Sequence, residues 1–339
     1  MKKSNASLFL GILITCMVFA NFLIFSRIFT DSIPDAHYAP SDSNAPDTST
    51  LPDSPENGAD VPSASLPTDY KYITASTVDT HSGTLVLVNS THPFTFDNVP
   101  TVVEKEVNDS IYYNKTASYF VRDINVYLNT VATAALNRMM DDFYAYQGNR
   151  KTVLINEGLR TREEQLAILE QKIAQLGENQ TIAAKPGYSE HHTGYAMDLS
   201  LYENNVGATF TGEGDYAWFF ENAHKYGFIL RYPAGKEDIT GISYESWHFR
   251  YVGVPHADYI YRAGIALEEY LDLLALYPYE SEHLAMTDET TGDTYEVYSV
   301  AVSADGTQIP VPSVSDGTAY VLSGDNNGHV IVTVKHPAQ

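Results

Sequence analysis

The run Pro186-Gly187-Tyr188-Ser189-Glu190-His191-His192-Thr193-Gly194-Tyr195-Ala196-Met197-Asp198-Leu199 restricts local folding more than any other stretch of the chain. A continuous helix would separate His191 from Asp198, seven residues later, so the two meet only if the backbone turns. A turn-linked hairpin suits them, with Gly194 relieving strain at the bend and both ends returning to one point. A second run, Tyr244-Glu245-Ser246-Trp247-His248-Phe249-Arg250-Tyr251, adds an imidazole and a carboxylate. His191, Asp198 and His248 together make a donor set suited to tetrahedral zinc, Zn2+, with water in the fourth position. Glu245 lies three residues before His248. In a strand these would face opposite sides, whereas in a turn both point inward.

Composition removes the competing chemistries. Cys16 is the only cysteine, which excludes an internal disulfide framework and every multi-cysteine metal site. Twenty basic against 43 acidic residues leave a net charge of −23, without a Lys/Arg cluster, which argues against a nucleic-acid partner. Ser189 is accompanied by neither a GxSxG elbow nor a Ser-x-x-Lys arrangement, and the HExxH zinc helix is missing.

The charge is unevenly spread: residues 1–30 carry +3 and residues 31–70 carry −8. Leu8 to Phe25 is an apolar run behind Lys2 and Lys3, which predicts a single membrane-spanning anchor with a cytoplasmic tip over 1–30 and export of the rest. Val18-Phe19-Ala20 offers a small-residue processing site, so a cleaved signal peptide and a secreted form are the alternative. Residues 31–67, rich in Pro, Ser, Asp, Ala and Thr, read as a disordered linker.

Beyond it, alternation between Tyr70 and Phe96 predicts a small β hairpin region over 68–110. Apolar spacing predicts a core helix over Arg122 to Tyr146 and a short strand at Val153 to Ile155. Thr161 and Glu164 form a capping box for a helix that presents Leu166, Leu169, Ile173 and Leu176 and ends at Gly177. Further helices are expected over Tyr216 to Tyr226, capped by Asp215, and from Pro255 to Pro278. Four β-rich stretches between Tyr295 and Val334 predict a small C-terminal all-β module over 277–339. The whole is α+β, with mixed helices and an antiparallel sheet in a domain over 111–276.

The pattern SxHxxGxAxD, carried by Ser189, His191, Gly194, Ala196 and Asp198, followed by ExWH at Glu245, Trp247 and His248, resembles the zinc D-alanyl-D-alanine carboxypeptidases of the VanY-like group. Phe228 to Pro233, Gly235-Lys236-Glu237 and Thr240-Gly241 are similar to that family's approach to its second motif, and Glu157 to Gln165 to its arginine motif. The resemblance covers roughly residues 112–276. It implies a compact zinc D,D-peptidase-like fold, zinc on His191, Asp198 and His248, and Glu245 as general base. It also implies Arg160 as a substrate-binding or transition-state-stabilising group and Ser189 near the substrate, with no metal role for His192. The implied reaction is removal of the terminal D-Ala from a peptidoglycan stem peptide by metal-activated water. The implied alternatives are an L,D-carboxypeptidase or D,D-endopeptidase of the same fold, or a zinc-containing protein that binds cell wall without cutting it.

Overall fold

The computed structural model describes residues 70–96, 118–122, 126–180, 182–204, 206–313 and 319–338. The expected anchor and linker lie outside these residues, and among the described residues no helix is long and apolar enough to cross a membrane.

The strands are β1 (Tyr70–Ala75), β2 (Phe120–Val121), β3 (Val153–Glu157), β4 (Ala196–Glu203), β5 (Val206–Thr209), β6 (Phe228–Leu230) and β7 (His248–Tyr251), then β8 (Leu284–Thr287), β9 (Thr294–Ala301), β10 (Thr307–Pro312), β11 (Ala319–Gly324) and β12 (His329–His336). The helices are α1 (Thr130–Tyr146), α2 (Arg162–Leu176), α3 (Ala217–Asn222), α4 (Glu237–Thr240), α5 (Val254–Ala263) and α6 (Leu267–Leu274). A central sheet runs β2-β3-β4-β7-β6, with β5 added to β4, and a second sheet runs β11-β12-β9-β8. Every pair in both is antiparallel except β2 with β3.

Local chemistry explains most element ends. The Asn129 side chain accepts a hydrogen bond from the Val131 amide, so α1 starts at Thr130 rather than at Arg122. Ala132, Leu136, Met139, Met140 and Phe143 then recur at helical spacing and bury with Ile155, Met197, Leu199 and Phe249 of the sheet and Phe219 of α3. The α2 helix carries the expected Thr161–Glu164 capping box and ends at Gly177, whose φ of 92° few other residues tolerate. Its expected apolar face is not a core face, however: Leu166 and Leu176 are 45% and 56% exposed, and the one fully buried residue is Gln165. Asp215 does not cap α3; it pairs with Arg150 at 3.1 Å. The expected Pro255–Pro278 helix is two helices, broken where Gly264 turns left-handed after α5.

The expected hairpin between Tyr70 and Phe96 is not formed. Strand β1 pairs instead with β10, from Tyr70↔Pro312 to Ala75↔Thr307. Residues 82–93 then run along the second sheet without a strand of their own. Gly324 donates to the Ser82 carbonyl at 2.6 Å, Leu87 donates to Asp325 at 3.2 Å, and Asn326 Nδ2 donates to the Leu87 carbonyl at 2.8 Å.

Nor is the C-terminal sheet a separate module. Leu284, Val297 and Ile331 share one apolar cluster with Ala257, Ile260, Leu267, Tyr270, Leu271 and Leu274 of α5 and α6, and with Leu85 and Leu87. Pro67–Gln339 accordingly forms one compact unit.

Candidate active site

The two motif runs meet in the middle of the central sheet. Asp198 on β4 lies directly opposite His248 on β7 in the antiparallel register, so their side chains emerge on one face. His191 arrives differently from the expected hairpin. It sits on a 3-10 turn, Glu190–Thr193, that ends where Gly194 adopts φ 71°, and the chain then enters β4 at Ala196. A tight turn feeding a strand returns His191 over Asp198 without a second hairpin arm. Asn129, just ahead of α1, donates its backbone N–H to the Gly194 carbonyl at 2.8 Å, tying the bend to the core helix.

Hydrogen bonds decide which ring atoms face the centre. His191 Nδ1 lies 2.7 Å from the Gly158 carbonyl, which only accepts, so Nδ1 carries the proton and Nε2 is free. Gly158 is required there, because a Cβ would lie 2.1 Å from the Tyr127 carbonyl. His191 Nε2 is 3.5 Å from Asp198 Oδ1, and His248 Nδ1 is 2.9 Å from the same oxygen. The candidate ligand atoms of the three residues all lie within 4.8 Å of one another. Tetrahedral zinc with ligand bonds near 2.0–2.1 Å separates its donors by about 3.3 Å, so two imidazoles and a carboxylate at these spacings fit the ion.

His192, next in sequence, is committed elsewhere. Its Nδ1 donates to the Arg160 carbonyl at 2.7 Å and its Nε2 accepts from the Gly187 amide at 3.0 Å, leaving no lone pair for a metal. Burial pushes its pKa down to about 4, so it stays neutral in this role.

Glu245 reaches the same face because residues 245–248 turn rather than extend, His248 donating its amide to the Glu245 carbonyl at 3.3 Å. Glu245 Oε2 lies 3.7 Å from His248 Nδ1. Burial raises the Glu245 carboxyl to about 7, against the opposing pull of His248. Burial also disfavours a charged His248, but the hydrogen bond to Asp198 and the nearby Glu190 carboxylate outweigh it and hold that imidazole up at about 9. The Asp198 carboxyl, although buried, is held well below the usual range by His191 and His248.

Arg160 stands at the β3–α2 junction, mostly buried. Its guanidinium donates to Gln165 Oε1 at 2.8 Å and lies 3.7 Å from Glu157, while its Nε is buried without a partner. Gln165 is fixed in turn by donating to the Ala184 carbonyl at 2.7 Å. Beside Arg160 opens a cavity of about 330 Å³ that also touches Phe94, Phe96, Arg162, Glu163 and His192. Ser189, buried at the N-cap of the 3-10 turn, makes no side-chain capping bond.

Two participants escape a reading of the sequence. Gln165 hides on a helix whose Leu166 and Leu176 point to solvent. Glu190, flanked by Ser189 and His191, is fully buried against Arg231 and Arg250. The available signal was Arg250, two residues after His248 on one strand and therefore on the same face.

A sequence profile of the family described as VanY, D-alanyl-D-alanine carboxypeptidase, matches residues 125–254. A D-alanyl-D-alanine carboxypeptidase of Enterococcus faecium is 34% identical over 267 residues, covering 79% of each chain. The bifunctional D-Ala-D-Ala dipeptidase and D-Ala-D-Ala carboxypeptidase VanXYC of Enterococcus gallinarum is 41% identical over 134 residues, 38% of this chain and 70% of its own. The solved structure of the vancomycin resistance D,D-dipeptidase VanXYg, in complex with a D-Ala-D-Ala phosphinate analogue, aligns with a TM-score of 0.67 at 29% identity, covering 79% of this chain and all (100%) of that one. Identity sustained over so much of both chains means that this chain belongs to the VanY family of D-alanyl-D-alanine carboxypeptidases.

Proposed function

We propose that this chain is a zinc-dependent D,D-carboxypeptidase that removes the terminal D-Ala from peptidoglycan stem peptides. The observation that carries the reading is the convergence of His191 Nε2, Asp198 Oδ1 and His248 Nδ1 with the buried Glu245 beside them. His191, Asp198 and His248 would hold the zinc, which would supply polarisation of the scissile carbonyl and acidification of a water. Glu245, buried beside the three donors, accepts the proton of the attacking water and returns it to the leaving amine. Arg160, held by Gln165 and Glu157 with Nε still unpartnered, supplies the cation that binds the peptide's carboxylate or the developing oxyanion. Ser189, buried at the N-cap of the turn that carries His191, is the residue we propose to lie near the substrate. No observation favours the L,D-carboxypeptidase, endopeptidase or non-catalytic readings.

The test is purified protein with defined muropeptides followed by mass spectrometry. One D-Ala should be released from pentapeptides ending in D-Ala-D-Ala, and release should stop on chelation and return with zinc. Intact pentapeptide in the presence of folded, zinc-loaded protein would sink the proposal.

We also propose that Leu8–Phe25 anchors the chain in the cell membrane with the catalytic part outside the cytoplasm, on the support of the apolar run behind Lys2 and Lys3. Protease added to intact cells should then remove a C-terminal reporter. A protected reporter would reverse the orientation.

A further inference from the structure

Glu190, Arg231 and Arg250 have no solvent exposure at their side chains. An unpaired buried charge is costly, so each arm of this group should have a partner. Nearly all do. Glu190 Oε1 accepts from Arg231 Nε at 2.8 Å and from the Arg250 guanidinium at 2.9 Å. The rest of the Arg231 fork donates to both oxygens of Glu268, at 2.8 and 2.6 Å. Arg250 donates through its other terminal nitrogen to the Thr84 and Val86 carbonyls, both at 2.9 Å.

Two atoms remain. Glu190 Oε2 and His248 Nε2 are each buried without a hydrogen-bond partner, and they face one another at 3.6 Å. One is an acceptor and the other carries a proton whenever Nδ1 is bare. A shift of a few tenths of an ångström would join them.

From this geometry we infer that Glu190 is a positioning residue for the metal site, accepting the Nε2–H of His248 so that Nδ1 is presented to the ion beside Asp198 and His191. The inference rests on the metal-site reading above. It makes the two imidazoles unequal: a neutral carbonyl, that of Gly158, orients His191, whereas a full carboxylate orients His248 and strengthens it as a donor. The two arginines keep Glu190 ionised in a dry site and aim its free oxygen. Their own anchors, Thr84, Val86 and Glu268, all lie outside the stretch 125–254 matched by the family profile, so this support belongs to the surrounding fold of this chain.

The first test uses the unaltered full chain, labelled with ¹⁵N at histidine and loaded with ¹¹³Cd. Coupling is expected between the metal and His248 Nδ1, with the Nε2 proton resolved and slow to exchange. Coupling through Nε2, or a rapidly exchanging Nε2 proton, would overturn the inference. The second test compares zinc affinity, by chelator competition, and the visible spectrum of the Co(II) form between the unaltered chain and Glu190→Gln. Affinity should fall about 10–100-fold and the Co(II) bands should move. An unchanged affinity and spectrum in a folded Glu190→Gln would overturn it. The cadmium experiment stands alone if that variant does not fold. An unaltered chain that binds no zinc would sink the metal-site reading and this inference together, whereas normal zinc binding through His248 Nε2 sinks only the role of Glu190.

Discussion

Glu245→Gln is expected to lower kcat about 10²–10⁴-fold while leaving the fold and the zinc content unchanged. Gln keeps the shape of the side chain beside His248 but cannot accept and return a proton. Because Glu245 is not among the three converging donors, its loss should spare metal binding. The pH profile supplies a second readout. Burial pushes the carboxyl up to about 7 in the metal-free pocket, and a bound dication lowers it again. A general base must be unprotonated, so kcat/KM of the unaltered protein should fall as pH drops through an apparent pKa below 7. The residual activity of Glu245→Gln should lack that acid limb. A variant within tenfold of the unaltered rate, with the same limb, would remove Glu245 from the mechanism.

Removal of residues 277–339 is expected to abolish folding rather than produce a trimmed active enzyme. The cut takes away Leu284, Val297 and Ile331 from the cluster that buries α5 and α6. At about 1.5–3 kcal/mol for each large side chain, and with the newly bared Leu267, Leu271 and Leu274 added, the loss rivals the roughly 5–15 kcal/mol that holds an ordinary domain together. It also removes β10, the partner of β1, and the Asp325 and Asn326 bonds that hold residues 82–93. Those residues supply the Thr84 and Val86 carbonyls that receive Arg250, so the damage reaches the motif strand β7. Circular dichroism and a thermal melt would decide the matter. A soluble fragment ending at 276 with a cooperative melt and bound zinc would mean that the second sheet is dispensable.

Features written in a few neighbouring residues could be read without the structure. The start and stop of α2 rest on Thr161, Glu164 and Gly177, whose effects are local, and they stand where expected. The convergence of Asp198 and His248 follows from two strands that each bear a recognisable motif. What could not be read depends on partners far along the chain. Strand β1 finds β10 more than two hundred residues later, and nothing between Tyr70 and Ala75 names that partner. Glu190 looks like a surface acid until Arg231 and Arg250 close over it. Leu166 and Leu176 recur at helical spacing yet face outward, because α2 is held at its buried side by Gln165. A periodic apolar pattern says that a helix forms, not which side of it the rest of the protein will cover.

The β1–β10 ladder also sets how this protein would bear a mechanical load. Tension on the chain ahead of Tyr70 meets six backbone register pairs, together with the edge contact of the Tyr70 ring on Tyr279, and those pairs lie outside the sheet that holds Asp198 and His248. Pulling there would therefore load the β1–β10 pairing first, on strands separate from those that carry Asp198 and His248.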